Sequence, residues 1–132
     1  ENVQCNISYN KKKGTLRGFH YQRKPFEEGK VVRCTKGKVY EVILDIRKES
    51  KRFLEWEGIE LSESNYRMLF IPKGFALGFQ TLEDETEIFY QMTQKYMPEY
   101  SEGIRWNDPK LKIEWPLKPT VISQKDEAWE LL

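Results

Sequence analysis

Histidine is nearly absent from this chain. One residue of 132, His20, carries an imidazole, and only Cys5 and Cys34 carry a thiol. Zinc, iron and copper sites draw two or more imidazoles or thiolates, and the two cysteines stand far apart, so a metal is not expected. Two cysteines at unrelated spacing give no disulfide framework either, and a reducing cytoplasm is the expected location. Long apolar runs are missing: none reaches the length of a membrane span or a signal core. An excess of charge of one sign is missing too. Lys and Arg number 22 against 21 Asp and Glu, a formal +1, which offers no broad surface to nucleic acid or membrane. The run Lys11-Lys12-Lys13 before Gly14 reads as a solvated turn between strands.

What is present is a well-filled interior. With 39% hydrophobic and 14% aromatic residues, the chain is rich enough to build one domain over residues 1–132 around its own core. It starts at Glu1 and enters strand-like sequence at once, and the expectation is a domain trimmed at its N-terminus.

Period-two alternation with β-branched or aromatic enrichment recurs over residues 3–9, 15–22, 30–35, 38–47, 53–61, 66–71, 76–82 and 87–94. Lys36-Gly37, Glu63-Ser64-Asn65 and Pro72-Lys73-Gly74 supply reversals between them. In the best-patterned run Tyr40, Val42, Leu44 and Ile46 share one face, with Val39, Glu41, Ile43, Asp45 and Arg47 on the other, and one face is expected to pack the core. After Tyr96 the pattern dissolves into a loop-rich cover anchored by Trp106 and Trp115, and 126–132 reads as a short terminal helix. Eight strands without an earlier amphipathic helix predict an all-β sandwich or jelly-roll barrel.

His20 sits in Gly14-Thr-Leu-Arg-Gly-Phe-His-Tyr-Gln22, with Arg17 before it and Lys30 after it. An imidazole titrates near neutrality and can take a proton from a weak carbon acid when a nearby cation stabilises the resulting negative charge. The competing reading is a hydrogen-bonded core histidine on a strand face.

Five ordered blocks weigh against the core reading: Gly14 to Gln22, Lys30-Val-Val-Arg33, Ile71-Pro-Lys-Gly-Phe-Ala76 with Gly78-Phe79, Gly103-Ile-Arg-Trp-Asn-Asp-Pro109 and Ser123-Gln-Lys-Asp126. Together they resemble the dTDP-4-dehydrorhamnose 3,5-epimerase family over nearly the whole chain. The resemblance implies a cupin-type jelly-roll barrel, a homodimer, and action without cofactor on a nucleotide-diphosphate sugar bearing a 4-keto group. By the same resemblance His20 would be the base and Asp126 would orient its imidazole. Lys30 would stabilise charge at the C4 oxygen, and Tyr90 would be the acid on the opposite sugar face. Tyr96, six residues on and of the same parity if the strand continues, is the competing acid. Arg17 matches the arginine that contacts the diphosphate, and Gln4, Asn6, Glu102 and Lys125 match weaker substrate contacts.

Two features do not fit simply. On a regular strand Arg17 and His20 face opposite ways, so an irregularity at Gly18 is predicted that turns both into one cavity. Where the family pattern reads Phe-Ala-His-Gly-Phe, this chain has Phe75-Ala-Leu-Gly-Phe79. Leu77 therefore replaces a substrate-contacting histidine and can neither donate a hydrogen bond nor carry charge, with weaker binding, slower turnover or a different sugar as the expected consequences. A non-catalytic sugar-nucleotide-binding jelly roll, and an epimerase acting at one centre or on another nucleotide sugar, are the alternatives.

Overall fold

A computed structural model describes residues 1–132. Nine strands follow one another as β1 (Gln4–Asn10), β2 (Leu16–Gln22), β3 (Lys30–Lys36), β4 (Lys38–Asp45), β5 (Trp56–Ser62), β6 (Met68–Ile71), β7 (Phe75–Thr81), β8 (Thr86–Met92) and β9 (Ser101–Gly103). A single helical turn, α1 (Gln124–Glu127), comes near the end. The strands form two antiparallel sheets, ordered β1-β8-β3-β6 and β5-β4-β7-β2-β9. This is the all-β jelly-roll architecture that the strand pattern predicts.

Between the sheets lies a core of Val32, Cys34, Val39, Leu61, Ile71, Leu77, Phe79 and Ile88. The other face of the five-stranded sheet is covered as well, because Phe19, Val42, Leu44 and Ala76 pack under Ile104, Leu111 and Trp115 of the C-terminal loops. Strand β4 thus differs from expectation. Both of its faces are buried: Val39 and Ile43 look into the barrel, while Tyr40, Val42 and Leu44 look into the cover. Each fully buried aliphatic side chain contributes roughly 1.5–3 kcal/mol.

Strand ends shift where backbone conformation intervenes. Leu54 and Tyr66 adopt positive φ (67° and 56°), so β5 and β6 begin only at Trp56 and Met68. The terminal helix is shorter than expected and displaced toward the N-terminus. Ser123 caps it by accepting from the Asp126 N–H at 3.1 Å. Beyond Ala128 the tail is held extended by Arg105 Nε donating to the Trp129 carbonyl (2.7 Å) and by the Leu132 N–H donating to Asp108 (2.7 Å). No helix is long and apolar enough to cross a membrane.

Candidate active site

The barrel interior opens into a cavity of about 970 Å³ lined by residues of both sheets, among them Gln4, Asn6, Arg17, His20, Lys30, Leu77, Tyr90, Tyr96 and Lys125. Register explains the convergence. Asn6 lies opposite Tyr90, and Tyr90 opposite Val32, so alternate residues of β1, β3 and β8 point inward together. Arg17 lies opposite Phe79 and His20 opposite Leu77, with a register shift between them. The extra residue is a bulge, and it turns both side chains into the cavity.

Gly18 makes the bulge possible. Its φ is +118°, and a Cβ there would lie 2.7 Å from the Gly78 Cα and 2.8 Å from the Leu77 carbonyl oxygen. Only glycine accepts both the dihedral and the close approach of the neighbouring backbone.

The bulge also serves the carboxylate behind the histidine. Asp126 Oδ1 lies 2.7 Å from His20 Nε2 and accepts from Trp129 Nε1 at 3.1 Å, while Oδ2 accepts from the freed Gly18 N–H at 3.1 Å. Burial pushes the Asp126 carboxyl up, but the His20 partner and the two N–H donors outweigh it and leave its pKa below the usual carboxylate value. With Nε2 committed to Asp126, Nδ1 is the imidazole atom left to accept a proton. The Asp126 side chain is 3% exposed and that of His20 43%, so a buried anion backs a ring that reaches the cavity.

Lys30, at the head of β3, pairs with Glu28 at 3.1 Å. Tyr90 projects from β8 of the same sheet, facing the one that carries His20, and its phenol pKa is raised well above the ordinary value by burial and then by the nearby Glu41, with Arg17 acting against them. It therefore holds its proton. Arg17 Nε donates to the buried Asn10 Oδ1 at 2.9 Å, which fixes the guanidinium and leaves its terminal nitrogens for an anion.

The supporting residues divide. Strand β8 stops at Met92, so Tyr96 reaches the cavity from the following loop rather than by strand parity, and its N–H is held by Gln4 Oε1 at 3.0 Å. Lys125 lies over the Trp129 ring, 5.6 Å from its centroid. Glu102 stands apart: its carboxylate accepts from Tyr21 Oη and pairs with Arg23, both at 2.7 Å. It lines a neighbouring cavity of about 600 Å³ that shares His20, Lys30 and Leu77 with the first.

Sequence reasoning missed Asn10, Glu28, Trp129 and Glu41. Asn10 and Glu28 support Arg17 and Lys30 through side-chain contacts that no local pattern announces. Glu41 carried a signal, a carboxylate on a face shared with Val39 and Ile43. It is fully buried, and neither carboxylate oxygen has a hydrogen-bond partner.

The family model for dTDP-4-dehydrorhamnose 3,5-epimerase matches residues 1–132. A curated relative of that name from Methanothermobacter thermautotrophicus is 47% identical over 124 residues, covering 91% of this chain and 66% of the relative. Another from Salmonella typhimurium is 47% identical over 131 residues, covering 98% and 71%. The chain thus spans about two thirds of the length of these relatives. Among solved structures, the dTDP-4-dehydrorhamnose 3,5-epimerase from Bacillus anthracis with TDP and PPi bound superposes with a TM-score of 0.97 at 41% identity, covering 100% of this chain and 75% of that one. The dTDP-6-deoxy-D-glucose-3,5-epimerase from Legionella pneumophila in complex with dTDP-4-keto-L-rhamnose gives 0.94 at 42%, covering 99% and 69%.

Proposed function

This chain belongs to the dTDP-4-dehydrorhamnose 3,5-epimerase family, and from that premise we propose that it inverts C3 and C5 of a dTDP-4-keto-6-deoxyhexose by proton transfer through an enolate. The observation that carries the reading is the His20–Asp126 dyad (2.7 Å) facing a cavity that Lys30 and Tyr90 also line.

A C4 ketone acidifies the C–H bonds at C3 and C5. His20 Nδ1 takes the proton from one face of the sugar, and the C–H electron pair moves into the enolate, whose charge gathers on the C4 oxygen. Asp126 stabilises the imidazolium so formed. The Lys30 ammonium stabilises the oxyanion. Tyr90, a phenol that holds its proton, gives it to the other face and restores the ketone with inverted configuration. Imidazolium and phenolate then exchange one proton through solvent, and the reaction is an isomerisation with no net change in composition.

Arg17, with Lys125, takes the diphosphate, and Tyr96 at the cavity rim offers a ring for the base to stack on. Tyr90 is preferred to Tyr96 as the acid because it sits inside the barrel, whereas Tyr96 is 53% exposed. Gln4 acts by holding the Tyr96 backbone, and Asn6 lies opposite Tyr90 on the same wall. Glu102 orders Tyr21 and Arg23 beside the site.

The working unit in this reading is a homodimer. The outer face of the four-stranded sheet leaves Ile7 and Phe70 64% and 62% exposed, with Tyr9 and Met68 beside them, an apolar patch of the kind a second copy covers.

Deuterium wash-in tests the activity: incubation of the dTDP-4-keto sugar in heavy water is expected to label both C3 and C5. Label at one carbon restricts the enzyme to a single centre. Binding without label overturns the catalytic reading and favours a non-catalytic module, the alternative that apolar Leu77 in the cavity wall supports.

A further inference from the structure

Glu41 has no structural reason to be a glutamate. It stands at the middle of β4 with Phe79 opposite on β7 and Ile59 opposite on β5, among inward-facing apolar side chains where a leucine would pack without cost. Removing an ionisable group from water is expensive unless hydrogen bonds replace the lost solvent, and here both carboxylate oxygens go without. Such a group is characteristic of a functional site rather than of a core.

Its neighbours are the candidate machinery: Tyr90 packs against the same core cluster as Val39, Ile43 and Phe79, the side chains that flank Glu41 along its face and across the ladder. The charge of Lys30, from β3, favours the carboxylate form of Glu41. Tyr90 from β8 and Cys34 from β3 both respond to Glu41's charge. Arg17 on β2 shares Phe79 with Glu41 as a cross-strand neighbour and acts on Tyr90 with the opposite sign. Glu28 pairs with Lys30 from the loop before β3. Of the ionisable groups facing Glu41, two are the ones on which the proposed chemistry depends.

Resting on the epimerase reading, we propose that Glu41 is a positioning residue of this site, a buried carboxyl that acts from behind on Tyr90 and keeps the phenol in its proton-donating form. The sign follows from charge. Burial pushes the Glu41 carboxyl up to about 8, with Lys30 offsetting part of the rise. As pH climbs through that value a negative charge appears beside the phenol, and it opposes loss of the phenol proton. The charge is therefore in place before the phenol, already raised by burial, reaches the pH at which it gives up its proton. Glu28 alone does not supply this, because it contacts Lys30 and not Tyr90.

The test compares wild type with Glu41→Gln, Glu41→Leu and Glu41→Asp. The first readout is the pH profile of kcat/KM for C3 and C5 proton exchange, and the second is phenol titration of Tyr90, followed by ring-carbon NMR of labelled tyrosine against a Tyr90→Phe control. In Glu41→Gln the alkaline limb of the profile and the Tyr90 titration are expected to move down together by about one pH unit. The accompanying loss of rate above the limb is roughly tenfold. Glu41→Asp keeps the charge and is expected to restore most of the wild-type limb. Glu41→Leu matches the apolar surroundings and provides a folded neutral variant should the glutamine fail to fold.

If neutral variants change thermal stability while both titrations stay at wild-type positions, Glu41 is a core residue and the proposal falls. If wild type shows no exchange at any pH, the epimerase reading fails instead. The NMR titration still reports whether Glu41 controls Tyr90.

Discussion

Arg17 and His20, three positions apart on one strand, point into the same cavity because three steps along β2 are matched by two along β7, from Phe79 to Leu77. A cationic anchor and a base thus come from one bulge, and the bulge places the Gly18 N–H 3.1 Å from the carboxylate that orients the base. One backbone irregularity sets three parts of the site.

Replacing Gly18 with alanine tests that dependence. The new Cβ would meet the Gly78 backbone at 2.7 Å and force φ away from +118°, and because backbone rather than a flexible side chain blocks it, relief requires the strands to separate. A loss of about 2–4 kcal/mol of stability is expected, read by denaturant unfolding. Whatever folded protein remains is expected to lose affinity for the diphosphate and turnover together, read as a rise in KM with a fall in kcat. A variant with wild-type kinetics would separate the bulge from the site.

The His20–Asp126 pair makes a prediction in pH. The Asp126 carboxyl has a folded pKa below its unfolded one, so its contribution to stability is present above the ordinary carboxylate value and disappears as pH falls through the lower, folded value. Asp126→Asn removes that contribution. The variant is expected to be less stable than wild type at neutral pH and to approach it in strong acid, as followed by thermal melts across pH. Proton exchange at C3 and C5 is expected to fall on the order of 10²–10⁴-fold, since the imidazolium loses its counter-charge.

The strands, and the charged and aromatic side chains on which the site reading rests, were legible because both follow from periodicity and from short blocks. Residues 15–22, 30–35 and 76–82 carry their alternation on their face, within a residue of the observed strands, and an irregularity at Gly18 could be deduced from the parity clash between Arg17 and His20. Strand ends were less legible, since the positive φ that sets them falls on Leu54 and Tyr66, residue types that do not announce it. Strand β9 is three residues long and exists because β2 offers it an edge, with His20 opposite Gly103. Trp129 was read as helix, whereas its indole packs where a Gly103 Cβ would otherwise stand. Asn10 is held by Thr86 and Arg17, Glu28 by its pair with Lys30, and Glu41 stands buried without a partner; a linear pattern contains no record of these side-chain arrangements.

Leu77, where the resemblance read from the sequence expects a histidine, lies opposite His20 across the β2–β7 ladder, 6% exposed. A histidine in its place would bring a donor and a titratable ring to the cavity wall. Leu77→His is expected to lower KM for the dTDP-4-keto sugar several-fold if the native substrate of this chain is that sugar, because one hydrogen bond contributes a net of about 0.5–1.5 kcal/mol. It is expected to raise KM if the apolar wall is adapted to a sugar with a bulkier or less polar substituent. Steady-state kinetics on the two substrate types read the sign directly, and unchanged constants on both would make the position silent.

Glu41 also fixes how stability responds to alkali, independently of any turnover. Its folded pKa of about 8 lies above the 4.5 of an unburied glutamate, so between these values the unfolded chain gives up a proton that the folded chain keeps. Stability from this group is complete below about 4.5 and is lost progressively as pH rises toward 8. The full span of that shift corresponds to at most about 5 kcal/mol. Glu41→Gln has no such proton to lose. Its unfolding free energy minus that of wild type is therefore expected to rise across the window and to level off above it, the reverse of the Asp126→Asn dependence. Urea melts of both proteins at a series of pH values give this difference, and a flat one would mean that the carboxyl ionises freely in the folded barrel.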